Sequence, residues 1–356
     1  MTAFTVEQIA RLHLARTSPL AEMYTLSPFV WHEQEQGPFE LLLRAVNHAQ
    51  IAAEKVARIY YGQSGDGLHF TMGDQPVLAP GPGDDDKDGC EDPTVAVVEG
   101  MTYVYYTGWN QTARTGQLLL AAGADGEHLR KCGIAIPSTE RVMNPKEASI
   151  VPVADGRWRL FFEYAHHGAS KVGIASASAV DGPWTVQPSL FEARPGRWDG
   201  WHLSPGPLLC SDPTRPVMFY NGATRDAAWR IGWIAFDAGF TRVVDRGDDP
   251  LITPPPGAPG DTDIAFAASA VVDHRPARPH GPRPRGAPAP GPGAAAAGGL
   301  YAGNPTRATT RPVRSDGTVA SVKAAMIVLT RSHDVRLRCR RQARNSASVV
   351  ASDCSA

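Results

Sequence analysis

The sequence predicts an all-β protein, a five-bladed β-propeller whose fifth blade is incomplete or replaced by a disordered tail. The first observation is an Asp-Gly turn that recurs at Asp66-Gly67, Asp125-Gly126 and Asp181-Gly182, with a degenerate copy at Asp237-Ala238-Gly239, at spacings of 56–59 residues. The second is that each turn follows an apolar, strand-like run, at 57–61, 118–122, 172–177 and 231–236. That period exceeds most helical solenoid repeats and suits a four-stranded blade. The third is a failure of the pattern: a fifth copy should fall near residue 293, where the chain reads Gly-Pro-Gly-Ala-Ala-Ala-Ala.

The elements follow in order. Residues 5–22 place Ile9, Leu12, Leu14 and Leu20 at helical spacing, which predicts a helical N-terminal segment over residues 1–26. Repeating units come next, each with a strong β run bounded by Gly, Asp or Pro, at 40–46, 101–107, 157–164 and 216–221. Unit starts fall near Ser27, Glu91, Glu147, Ser204 and Ile264, giving a propeller domain over 27–273 whose last blade is barely begun. Inner strands of a propeller line a central funnel. Residues at their starts, among them Glu91, Asp92, Lys146, Glu147, Ser204 and Asp263, should therefore face one another across it.

Composition divides the chain at about His274. Residues 1–273 hold 21 Lys/Arg and 33 Asp/Glu, and residues 274–356 hold 14 basic and 3 acidic residues, so balances of -12 and +11 hide inside a net charge of -1. All eight Trp lie in the first part and only Tyr301 is aromatic in the second. A Pro-, Gly- and Ala-rich basic tail of that kind cannot bury enough apolar surface to order itself, and the run 324–330 is its one candidate for regular structure. Its lack of stacking aromatics argues against a nucleic-acid arm. A reading-frame shift near codon 274 accounts for a blade motif that breaks off in mid-strand. Five widely spaced cysteines argue against a disulfide framework and for a reducing compartment, and no apolar run is long enough to span a membrane. The expected location is cytoplasmic, with no nucleic-acid or membrane partner.

The sharpest local motif is Gly89-Cys-Glu-Asp-Pro93, two adjacent acids before a proline at the start of an apolar strand. Strict alternation along that strand would aim only one of Glu91 and Asp92 into the funnel. Asn144-Pro-Lys-Glu-Ala-Ser149 brings a cation and a carboxylate, Lys146 and Glu147, to the equivalent place. Glu163 and Tyr164 end an inner β run. Trp109, Trp198 and His202 stand in loops, where aromatic faces can stack on sugar rings; Trp184 follows its turn as core. Asp84-Asp-Asp86-Lys-Asp88-Gly89 copies half of a calcium loop and then fails, because Val95 stands where the bidentate Glu is required; it reads as a solvated acidic turn. His166-His167 lacks a third ligand at a recognised spacing. No metal or cofactor is expected.

Taken together, these segments resemble glycoside hydrolase family 130, five-bladed propellers acting on β-mannosides. The likeness runs over about 27–273. It rests on Glu40-Leu-Leu-Leu-Arg-Ala-Val46, Gly89-Cys-Glu-Asp-Pro93, Lys146-Glu-Ala-Ser149, Trp198, His202-Leu-Ser-Pro-Gly206, Met218-Phe-Tyr-Asn-Gly222, the run 230–237 and the run 263–273. It implies an oligosaccharide substrate, a tendency to self-associate and an acid role for Asp92. It also implies sugar-contacting roles at Glu91, Lys146, His202, Asn221 and Asp263.

The departures from the family pattern concern phosphate. Its phosphorylases usually carry Arg where this chain has Thr94, Lys where it has His202, His where it has Asn221, and Arg where it has Glu163 or Tyr164. A dianion needs several fixed cations or donors, so the expected phosphate site is dismantled. The expectation is an inverting β-mannoside hydrolase with Asp92 as acid, its pKa raised by Glu91, and Glu163 or Glu147 as base. Alternatives are an inverting β-mannoside phosphorylase and an inactive or merely carbohydrate-binding incomplete propeller.

Overall fold

A computed structural model describes residues 4–10, 12–33, 37–49, 51, 54–254 and 264–273, and the backbone of 323–330, 335–341 and 345–352. Of the expected site residues, Asp263 lies outside the described residues, as does most of the tail.

Two short strands open the chain, β1 (Phe4–Ala10) and β2 (His13–Ala15). The first blade-like unit is β3 (Tyr24–Trp31), β4 (Phe39–Val46), β5 (Ala57–Ser64) and β6 (His69–Leu78), paired in that order and antiparallel. The second is β7 (Gly89–Val98), β8 (Met101–Asn110), β9 (Thr115–Gly123) and β10 (Leu129–Ile136). A single parallel bridge, Ala57 to Gly89, joins the two at their inner corner. The third is β11 (Met143–Pro152), β12 (Trp158–His166), β13 (Ala169–Ala177) and β14 (Thr185–Gln187).

The fourth unit is split into an upper and a lower half. Its strands are β15 (His202–Ser204), β16 (Leu208–Leu209), β17 (Val217–Met218), β18 (Asn221–Ala223), β19 (Trp229–Ile231), β20 (Ile234–Phe236) and β21 (Val243–Arg246). β15, β18 and β19 form one half; β16, β17, β20 and β21 form the other. A fifth sheet pairs β22 (Ala265–Asp273) with β23 (Lys323–Thr330), which runs on to β24 (Val335–Arg341) and β25 (Asn345–Ser352), and β1 closes its outer edge against β24.

The four Asp-Gly sites join the third strand to the fourth in each of the first four units, and the reason is local. Oδ1 of Asp66 accepts the backbone N–H groups of Leu68 and His69, Oδ1 of Asp125 those of Glu127 and His128, and Oδ1 of Asp237 those of Thr241 and Arg242. A short carboxylate that caps its own turn is what Asp supplies.

The apolar runs are continuous because each sheet is covered on both faces. Leu41 and Leu43 join the layer that includes Val271 of β22, whereas Leu42 faces the layer with Val95 and Val104 of the second unit. Phe161 likewise packs toward the fourth unit and Phe162 toward the second. The core is therefore a set of layers between successive sheets rather than one mass.

Side chains also sew neighbouring inner strands. Ser27 donates to Asp92 at 2.5 Å, Thr94 to the Ala148 carbonyl at 2.7 Å and Ser149 to the Gly206 carbonyl at 2.8 Å. Asn221 donates to the Ala267 carbonyl at 3.1 Å and accepts from its N–H at 2.6 Å, and Ser269 accepts from Val30 N at 2.9 Å. These links pass from the first unit to the fifth and back to the first.

Three expectations need correction. Residues 5–22 are not helical: they form β1, β2 and a short 3-10 turn, Leu20–Glu22, because sheet edges are available to both strands and a weak helical pattern yields to that pairing. Nor is the N-terminal stretch a separate segment ending at residue 26, since β3 begins at Tyr24 and β1 belongs to the fifth sheet. That sheet is also fuller than a blade barely begun, because three strands of the basic tail lie in it.

Candidate active site

The funnel residues are presented by the same backbone device in three units. In β3, β7 and β11 the register slips so that two residues oppose one, a β-bulge, at Ser27-Pro28, Asp92-Pro93 and Glu147-Ala148. The first residue of each bulge is left-handed, with φ of 45° at Ser27, 48° at Asp92 and 48° at Glu147. Left-handed backbone at non-glycine residues costs roughly 1–3 kcal/mol each and clusters at functional sites. The bulge also overrides strict alternation: Glu91 and Asp92 both reach one guanidinium. Arg44, on β4, places Nη2 2.9 Å from Glu91 Oε2 and Nη1 3.1 Å from Asp92 Oδ1.

Asp92 is 4 % exposed. Burial disfavours its charge, but Arg44, Lys146 and the Ser27 hydroxyl outweigh burial and hold its carboxyl below the ordinary aspartate value. The expected upward shift at Asp92 is thus overturned. The cause lies in Arg44, a cation that β4 carries among apolar residues. The upward shift falls on neighbours instead. Burial, reinforced by the negative charge of Asp92, raises Glu147 well above the usual glutamate range, and burial raises Glu91 despite Arg44.

Lys146 Nζ lies 3.4 Å from Glu163 Oε1, across the β11–β12 pairing that sets the two residues opposite each other. The Glu163 carboxylate is buried, and its charge is the largest cause of a raised Lys146 pKa. Lys146 is therefore cationic and committed to a carboxylate. His202, at the start of β15, accepts the Ser170 N–H on Nδ1 at 3.0 Å, so the neutral ring carries its proton on Nε2. Burial also lowers its pKa, which the Glu163 charge only partly opposes. The residues brought together are thus Glu91, Asp92, Lys146, Glu147, Glu163 and His202, with Arg44 and Ser27 added by the structure.

Other expected residues are placed differently. Asn221 is fully buried, and its amide is used by Pro205 O, Ala267 O and Ala267 N, so it joins sheets instead of facing the funnel. Trp198 stacks on Tyr220 with centroids 5.5 Å apart and donates to Asp248 O. It belongs to a structural knot around Asp199. That fully buried carboxylate takes Arg194 Nε at 2.9 Å, Arg246 Nη2 at 2.7 Å and the Tyr220 hydroxyl at 2.6 Å. The knot anchors the loop that carries Trp201 and His202.

Tyr164 turns away from Glu163 by alternation and packs beside Phe162 in the layer toward the second unit. Trp109 stays at the rim, opposite Gly89 and bonded to Gln111. Asp86 is not a solvated turn residue: it is buried, paired with Lys131 at 2.5 Å and bonded by the Tyr106 hydroxyl at 2.9 Å. Among the described residues no group of three or more His, Cys, Asp or Glu could hold a metal ion.

The fold is one already seen in proteins that act on glycosides. Over 228 residues the chain is 22 % identical to a 1,2-β-oligomannan phosphorylase from Thermoanaerobacter sp. (strain X514), covering 62 % of this chain and 72 % of that one. A β-1,2-mannobiose phosphorylase from Listeria innocua, solved with β-1,2-mannobiose, superposes with a TM-score of 0.59 at 18 % identity, covering 74 % of this chain and 90 % of that one. Another solved structure matches with a TM-score of 0.62 at 21 % identity, over 76 % of this chain and 88 % of its own. It is described in the words that the GH130 family of mannoside phosphorylases contains glycoside hydrolases that target β-1,2-mannosidic linkages in Candida mannan. No family model matches the chain. The resemblance to glycoside hydrolase family 130 read from the motifs is met again in these similarities of sequence and fold.

Proposed function

We propose that this chain is a member of glycoside hydrolase family 130 that cleaves β-mannosides, and that it does so by hydrolysis with inversion. One observation carries the choice of hydrolysis. The described funnel gathers four carboxylates, Glu91, Asp92, Glu147 and Glu163, against Arg44 and Lys146, and both cations are already paired with carboxylates. With His202 neutral, an incoming phosphate dianion would find both described funnel cations already paired with carboxylates.

An inverting glycosidase protonates the leaving oxygen on one face and draws a proton from water on the other. Burial and the charge of Asp92 raise Glu147, whereas Arg44, Lys146 and the Ser27 hydroxyl hold Asp92 low, so of these two carboxyls Glu147 keeps a proton to the higher pH. Ser27 and Arg44 both bond Asp92 Oδ1. This shifts the acid role expected of Asp92 to Glu147, which the sequence offered as a base. Glu163 then remains as base, with Lys146 orienting it.

A second reading, phosphorolysis, draws its support from the named phosphorylases among the relatives. The test is to incubate the protein with β-1,2-mannobiose and longer β-mannosides, with and without phosphate, and to follow the anomeric protons. Free α-mannose formed without phosphate is the expected result. Mannose 1-phosphate formed only with phosphate would establish the second reading, and no product from a folded protein would overturn both.

A further inference from the structure

Above the fourth unit a row of rings leads outward from His202. Trp229 lies two strands from His202 on the same rung, with Ala223 between them. Because Ala223 is small and fully buried, the two rings meet over it, with centroids 5.7 Å apart. Phe266 of β22 supports Trp229 edge-on at 5.2 Å. On the other side of His202, Trp201 donates its indole N–H to Gly168 O at 3.1 Å and carries the Arg225 guanidinium 3.8 Å over its ring. Both indoles are half-buried and held in place, so they form a rigid crest with little rotamer freedom left to lose.

We propose that Trp201 and Trp229, with Arg225, hold sugar units beyond the pair that reacts, so that the protein selects oligosaccharides by length. This rests on the reading of the funnel as a glycoside-cleaving centre. The apolar faces of pyranose rings suit an aromatic crest, and a guanidinium beside it can donate to ring hydroxyls. Trp201 and Trp229 stay half-buried, whereas Trp198 nearby packs against the core and stacks on Tyr220.

The experiment compares kcat/KM for β-1,2-linked mannobiose, mannotriose and mannotetraose in the native protein and in Trp229→Ala, Trp201→Ala and Trp229→Phe. The ratio of tetraose to biose should fall about tenfold in the alanine variants and recover largely in Trp229→Phe. An unchanged ratio alongside a lowered Tm would make the crest structural and overturn the inference while leaving the proposed reaction intact. If the native protein cleaves no mannoside, calorimetric titration with manno-, gluco- and N-acetylglucosamine trisaccharides decides. Binding lost in Trp229→Ala keeps the crest as a sugar site without the proposed reaction, and absence of binding overturns it.

Discussion

Burial and the charge of Asp92 act on Glu147 in the same direction, and stability inherits the result. The group keeps its proton in the folded protein to a higher pH than in the unfolded chain, whose value is near 4.5. Its favourable contribution is complete below that value and is lost as pH rises through the folded pKa. Glu147→Gln removes that loss, so its Tm should exceed the native one by a margin that widens as pH is raised above 4.5. A margin that is flat with pH would mean that Glu147 is ionised throughout. The same variant should lose most of its activity together with the alkaline limb of its pH profile. Asp92→Asn should lower kcat by about 10²- to 10⁴-fold with the fold retained by circular dichroism. At this scale the sequence was informative about which charged groups meet, because Glu91, Asp92, Lys146 and Glu147 stand at unit starts. It placed the raised pKa on Asp92, whereas the upward shift falls on Glu147 and Glu91. That depends on Arg44, from another strand, and no spacing in the chain announces it.

Strands were legible where both faces are buried, since 40–46, 101–107 and 157–164 read as β runs and form β4, β8 and β12. The bulges were not legible. Glycine would advertise a left-handed position, but here Ser27, Asp92 and Glu147 occupy it, and only the pairing of β3 with β4, β7 with β8 and β11 with β12 reveals it. The role of Asn221 is hidden from the sequence for a related reason. A motif shows that an amide stands at the end of a strand, and the neighbouring sheet decides what the amide bonds. Asn221→Leu should leave buried groups of Pro205 and Ala267 unpaired and lower stability by about 3 kcal/mol in chemical denaturation. A change below about 0.5 kcal/mol would show that the two sheets do not depend on it. Asp199→Asn should cost about 3–5 kcal/mol by leaving Arg194 and Arg246 without their buried counter-charge, and it should loosen the crest by freeing its loop.

For the molecule as a whole, the ends of the described chain meet in one sheet. Phe4 of β1 packs against Phe219 at 5.0 Å and Trp233 at 5.7 Å, in the layer between the fourth and fifth units. Phe4→Ala should therefore destabilise by about 3 kcal/mol although it lies near the chain terminus, and its Tm should fall with that of the fourth unit in a single transition. Separate transitions would place β1 outside the cooperative unit. Such a contact spans most of the chain and leaves no local pattern, which is why residues 5–22 read as a helix. The bulges carry a different consequence. Three units each offer a side chain at the same geometric station, held by the same backbone although the side chains differ. The centre works like a chuck with interchangeable bits: a hydroxyl, an aspartate and a glutamate occupy it now. New chemistry can be tried by exchanging one bit at a time, with no change to the tool that grips it.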